Sequence, residues 1–384
     1  MTTESGELAL KGKGPRLLIA GGGTGGHLFP ALAVAEAWEA DGGEVLFVGT
    51  REGLEYRLLP RLNKHLETLK VGRIKGAGLK GRLLTLLGLP LALWSAITIV
   101  RRFKPVAVLG MGGFASAPAV AAAWLLRIPT ALHEQNAWPG LTNRWLGRFV
   151  KRVFISFPDA ALAFIGCDTQ VSGNPVRAQF RQSREEGRSL TAEGGDDAFK
   201  LLVFGGSQGA SIFGQVVPEA LAALKKTGEI PLKIKHQARK EDVEALKGFY
   251  QREEIEAEVL PFIEDMAGSY RQADLVICRA GATTIAELAA MGQAALLIPY
   301  PWAADDHQTA NALALASPGG AWVCPQDDFS PGWLRDFLLE RHNDPKGLEL
   351  TGAMARKLDN PHAAREIVQE LRGLAGESFV TPVA

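Results

Sequence analysis

The chain has 384 residues, more than the roughly 250–300 that one hydrophobic core usually supports, so two domains are expected. Hydrophobic residues at 47% and charged residues at 22% exclude a disordered chain, and 42 basic against 42 acidic residues leave no bulk attraction to nucleic acid. Any anionic ligand must therefore be held locally. Cys167, Cys278 and Cys324 are far apart and lack the short paired spacings of zinc sites, which fits a reduced compartment.

Residues 1–14 contain Glu4 and Glu7 and no apolar run, so they read as a flexible tail rather than a secretory signal. From Arg16 onward, short apolar runs alternate with amphipathic stretches of helical length. That is the α/β pattern of parallel strands joined by crossover helices, with strands expected at 16–20, 44–48, 106–109, 130–132 and 152–156. The first strand runs into Gly21-Gly22-Gly23-Thr24-Gly25-Gly26-His27, a G-x-G-x-x-G loop opening a helix that contains Pro30. Such glycines let backbone approach a phosphate, and the helix N-terminus supplies positive potential. A dehydrogenase would show the same loop, but its ribose-holding acid is missing from the second strand, which ends Phe47-Val48-Gly49-Thr50-Arg51 before Glu52 in a turn. NAD is therefore not favoured. His27 reads either as a loop histidine bonded to backbone or, beside a helix N-terminus that disfavours imidazolium, as a neutral base.

Residues 83–100 carry no charge over 18 positions, bracketed by Lys75, Lys80 and Arg82 and by Arg101, Arg102 and Lys104. Gly88 and Pro90 in the middle, and the position inside a crossover, argue for a buried helix with an exposed, basic-rimmed apolar patch rather than a membrane span. Farther on come a glycine turn at Gly110-Met111-Gly112-Gly113-Phe114 and the polar His133-Glu134-Gln135-Asn136, a ligand wall or an ordinary capped turn. A first domain is expected over 15–176, and a polar linker over 177–198.

The rhythm restarts with strands expected at 200–204, 231–235, 274–278 and 294–298, a second domain over 199–358, and a helix and tail over 359–384 packing back toward the first. Glycine turns recur at Gly205-Gly206-Ser207-Gln208-Gly209 and at Arg279-Ala280-Gly281. Two doubly wound domains thus face each other across a cleft. Thr284-x-x-Glu287 reads as a capping box, or Glu287 holds a ribose diol. Asp305-Asp306-His307-Gln308-x-x-Asn311 raises the question of a metal, but adjacent aspartates commonly cap helices and no second ligand cluster is evident.

Together GGGTGGHLFPALAVA, GMGGFASAPAV, HEQNAWPGLTNRWL, SGNPVR, GGSQGA, CRAGATTIAEL and DDHQTANA, in this order over residues 16 to about 315, resemble the MurG-type N-acetylglucosaminyltransferases. The resemblance implies a GT-B fold of two Rossmann-like domains and inverting transfer of N-acetylglucosamine from UDP-GlcNAc to the C4 hydroxyl of the muramyl sugar of lipid I, giving lipid II for peptidoglycan. It implies no cofactor and no metal, and a peripheral protein on the cytoplasmic face of the cell membrane. That protein would dock on the anionic inner leaflet through residues 75–104 and work beside other cell-wall synthesis proteins. By motif, UDP-GlcNAc would meet Thr24, Gly25, Gly26, Asn136, Arg177, Ser207, Ile263, the stretch Ala282, Thr283, Thr284, Ile285, Ala286 and Glu287, and Gln308. His27 is the first candidate for the catalytic base, with Glu134 second, as a base itself or as a group orienting His27. Phe114 stands where many relatives have tyrosine, and His307 precedes Gln308 where some have two glutamines. The rival readings are another sugar-nucleotide enzyme (a glycolipid galactosyltransferase or a 2-epimerase), an NAD-dependent dehydrogenase, and a non-catalytic membrane scaffold.

Overall fold

The computed structural model describes residues 14–69, 79–186, 198–206, 210–228 and 230–376. The tail before Gly14, Lys75, Ser207, residues 187–197 of the expected linker and the closing tail after Gly376 lie outside the described residues. In the first half, β1 (Arg16–Ala20), β2 (Glu44–Gly49), β3 (Leu66–Thr68), β4 (Ala107–Gly110), β5 (Thr130–Glu134), β6 (Arg152–Ile155) and β7 (Thr169–Val171) form one parallel sheet in the order 3-2-1-4-5-6-7. In the second half, β8 (Phe199–Phe204), β9 (Leu232–Gln237), β10 (Glu256–Leu260), β11 (Leu275–Cys278), β12 (Ala295–Leu297) and β13 (Trp322–Val323) form another, ordered 10-9-8-11-12-13. Both are doubly wound, with the chain reversing direction beside the first strand of each sheet.

Helices cover both faces, so the central strands are buried on both sides and read as unbroken apolar runs such as Leu17-Leu18-Ile19. The strands the sequence did not announce are β3, β7, β10 and β13, the two edges of each sheet. Edge strands are short or half polar, as in Glu256-Ala257-Glu258-Val259-Leu260, so no continuous apolar signal marks them.

Residues 79–103 form one helix whose Ala92, Ala96, Ile99, Val100 and Phe103 enter the first core, while Leu91 and Trp94 stand 72% and 70% exposed. Among the described residues no helix is long and apolar enough to cross a membrane. The described start of the expected linker is helical: Ala178–Glu185 turns Phe180 into the core of the second half. The closing helix Ala363–Leu374 returns to the first half, burying Ile367, Val368 and Leu371 with Trp38. Arg372 lies over the Trp38 ring at 4.7 Å. The two passages of chain between the halves are tied together, Asn360 Nδ2 donating to Ser172 O at 2.9 Å and Arg181 pairing with Asp359 at 2.6 Å.

Candidate active site

All four glycine turns follow β1, β4, β8 and β11, the strands that flank the reversal point of each sheet. That is where open α/β sheets bind ligands. The helices opened by the first and last of these turns, Gly25–Ala40 and Ala282–Met291, meet N-terminus to N-terminus across the cleft: Thr283 Oγ1 donates to Gly26 O at 3.2 Å. Two positive helix ends therefore converge on one space, an arrangement suited to a diphosphate. Thr24 precedes the first helix without a side-chain cap bond and is exposed.

His27 sits in the first turn of its helix and touches Gly22 O through Nδ1 at 3.1 Å. A carbonyl only accepts, so Nδ1 carries the proton and Nε2 presents its lone pair. Burial lowers its pKa, outweighing the raising influence of Glu134, of the Gly22 hydrogen bond and of Glu55, while nearby His307 lowers it further. Nε2 faces Gly112, where a Cβ would lie 3.0 Å away, so glycine there keeps space in front of the ring. Glu55, which no motif singled out, lies beneath this loop.

In the HEQN turn, Glu134 is buried and accepts four hydrogen bonds: from Asn136 N and Nδ2 at 3.0 Å, Asn143 Nδ2 at 2.9 Å and Gly140 N at 3.2 Å. A carboxylate offers about four lone-pair sites, so none is left over for a substrate proton. His133 donates from Nε2 to Gly173 O at 3.1 Å and accepts from Gln135 at Nδ1, and burial lowers its pKa to about 4. It is a neutral strut. Asn143, absent from the sequence reading, also bonds His133 O and leaves its Oδ1 unpartnered.

Across the cleft, Glu287 lies 3.8 Å from Arg177 and accepts from the Tyr270 hydroxyl at 3.3 Å. Arg177 is held over the rings of Phe29 and Phe180, at 4.4 and 5.1 Å, and so spans both halves. The capping-box reading of Thr284 does not hold, because Gly281 is the N-cap and Thr284 is already helical. Ile285 and Ile263 are core residues with Tyr270, so uracil beside Ile263 would meet its backbone rather than its side chain. Ala282 is buried at the helix start and its carbonyl accepts from Asn174, and Ala286 packs against the same core. Gln237, also unanticipated, ties Gly206 O (2.9 Å) to Pro261 O (3.4 Å) and so fixes the second glycine turn to the Ile263 loop.

Gln308 Oε1 accepts from Tyr300 N at 3.0 Å. Asp305 and Asp306 before it hold φ of 55° and 51°, a local strain of the kind that clusters at functional sites. Farther along that helix, Asn311 is fully buried and bridges the halves, accepting from Ala137 N at 2.8 Å and donating to Asn136 Oδ1 and Ala280 O, both at 3.2 Å. Among the described residues no three His, Cys, Asp or Glu side chains gather to hold a metal ion.

Residues 17–155 match the glycosyltransferase family 28 N-terminal domain and residues 200–371 the family 28 C-terminal domain. The UDP-N-acetylglucosamine–N-acetylmuramyl-(pentapeptide) pyrophosphoryl-undecaprenol N-acetylglucosamine transferase of Magnetococcus marinus is 50% identical over 94% of this chain and 97% of its own length. The chain belongs to the MurG family. A second member, from Syntrophus aciditrophicus, is 47% identical over 92% of this chain and 97% of its own. Acinetobacter baumannii MurG superimposes with a TM-score of 0.74 at 35% identity, covering 94% of this chain and 99% of that one. A UDP-GlcNAc 2-epimerase from Neisseria meningitidis, 13% identical, covers 93% of this chain and all of its own with a TM-score of 0.66, and shares the fold alone. Membership makes this chain a glycosyltransferase of the two-Rossmann-domain GT-B class.

Proposed function

We propose that the protein moves N-acetylglucosamine from UDP-GlcNAc to the C4 hydroxyl of the muramyl sugar of lipid I, yielding lipid II and UDP. The names of its relatives support the substrates. The observation that carries the chemistry is the neutral His27, whose Nε2 lone pair faces the space left by Gly112. Nε2 takes the proton of the acceptor hydroxyl as its oxygen attacks the anomeric carbon. The bond to UDP breaks in the same displacement, which inverts the centre, and the leaving diphosphate keeps the electron pair. Opposed helix N-termini and Arg177 stabilise that growing charge. Glu134 is a positioning residue rather than a second base, since its four accepted bonds commit it to the turn.

On this reading Thr24, Gly25, Gly26 and Asn136 border the donor sugar and phosphates from the first half. Ser207 and Ala282–Glu287 hold phosphates and ribose, the Ile263 backbone lies against uracil, and Gln308 reads sugar hydroxyls. The domains are assigned to residues 15–176 and 199–358, with the helix Ala363–Leu374 returning to the first and the helix Ala178–Glu185, in the part of 177–198 that is described, packing with the second. The protein works at the cytoplasmic face of the membrane, a reading that its three unpaired cysteines support. It docks through Leu91, Trp94 and the exposed Arg101, Arg102 and Lys104. Exposed Trp124, Leu125, Trp145 and Phe149 widen that surface, with Phe149 5.5 Å from Trp124 and 5.4 Å from Trp145.

The test is transfer of labelled N-acetylglucosamine from UDP-GlcNAc to a soluble lipid I analogue in the presence of chelator. Wild type transfers, whereas His27→Ala loses about 10²–10⁴-fold in kcat and still binds UDP. Absence of transfer by the wild type would sink the reading.

A further inference from the structure

We propose that Glu55 is a positioning residue for this transfer, gripping one end of the Gly22–Gly23 peptide so that its other end holds His27 as the Nδ1–H tautomer. The inference rests on the reading of His27 as base. Glu55 is 1% exposed, and its carboxylate accepts from Gly23 N at 2.7 Å, Thr50 N at 2.8 Å and Thr50 Oγ1 at 3.1 Å. Gly23 N–H and Gly22 C=O belong to one planar unit, and that carbonyl is the atom His27 Nδ1 touches at 3.1 Å. Pull on the N–H end is therefore transmitted rigidly to the oxygen, and the two hydrogen bonds polarise each other through the amide.

The site is built around the carboxylate. A Cβ on Gly22, Gly49 or Gly53 would come within 2.3, 2.4 or 2.1 Å of the Glu55 side chain, so three glycines from two loops form a fitted cage. Gly113 completes it from the other side, since a Cβ there would lie 2.8 Å from Gly22 O. Gly23 itself holds a φ of 91°, a conformation open to glycine and strained for a residue with a side chain. An acid that merely filled space would not need two main-chain donors and a hydroxyl.

Glu55→Gln keeps the shape but turns an amide NH₂ toward one of the three donors, so the peptide plane is released. The expected result is a fall in kcat of about tenfold to a hundredfold, a part of the ~10²–10⁴ that a positioned base contributes, with the KM for UDP-GlcNAc within about twofold. In ¹⁵N NMR of the intact protein, the His27 ring nitrogens should move from the Nδ1–H pattern toward the opposite tautomer. Thr50→Val removes only the hydroxyl donor and should shift both readouts less, in the same direction; it keeps the test decisive should Glu55→Gln not fold. Unchanged His27 nitrogen shifts in the variants, with any loss of activity tracking a lower unfolding midpoint alone, would overturn the proposal. Wild-type turnover by His27→Ala would instead remove the base reading and leave the tautomer result standing.

Discussion

Burial raises the Glu287 carboxyl to about 7, against the lowering pull of Arg177 and of the Tyr270 hydroxyl. In the proposed role of accepting from ribose hydroxyls Glu287 acts as the carboxylate, so the acid form that predominates below pH 7 should bind UDP poorly. The sign follows: UDP affinity should rise by about tenfold between pH 6 and 8 and level off above the Glu287 pKa. In Glu287→Gln the same calorimetric titration should lose that rise, while the phosphate titration of UDP itself is common to both proteins and cancels in the ratio. For His27 the shift runs the other way and suits the proposed role of a neutral base. A lowered pKa keeps the imidazole unprotonated below its ordinary 6.5, so the acid limb of kcat/KM should fall under that value. None of these shifts is legible from residue type. The Thr284–Glu287 spacing suits a capping box equally well, and it is the start of the helix at Ala282 that rules the box out.

At the scale of elements, the helix His307–Ala316 joins the halves through one side chain, Asn311, which satisfies a main-chain N–H at Ala137, the Asn136 amide and the Ala280 carbonyl. Asn311→Ala would leave these buried groups unpaired, and a loss of about 1–3 kcal/mol in chemical denaturation is expected. Its effect on kcat should exceed that of an exposed substitution such as Leu313→Ala, since Asn136 is tethered by the same bonds. The glycine turns and the strands before them were readable because central parallel strands must be apolar on both faces and their C-terminal turns must be tight. The edge strands were not, nor was the helix at Ala178–Glu185: its polar sequence hides one fully buried aromatic side chain, Phe180, whose ring lies 6.0 Å from that of Tyr270.

For the whole molecule, the apolar surface of the first half predicts a separation of binding from chemistry. Trp94→Glu should weaken sedimentation with vesicles containing anionic lipid, the more so at raised salt, and leave turnover of a soluble acceptor analogue within about twofold, because Trp94 faces away from the core that supports His27. Equal loss in both assays would mean that the surface shapes the site itself. The amino-acid sequence by itself determined the two doubly wound halves, the cleft between them and the family, because apolar runs, glycine turns and motif order are local properties that survive in a linear reading. The tertiary structure alone decided which acid serves which loop. Glu52 and Glu55 are indistinguishable in the string, and only the approach of Glu55 to the glycine loop after β1 places its carboxylate under Gly23. Likewise Glu134 reads as a free acid until Asn136, Gly140 and Asn143 fold around it, since the availability of a lone pair depends on every neighbour that three dimensions bring near.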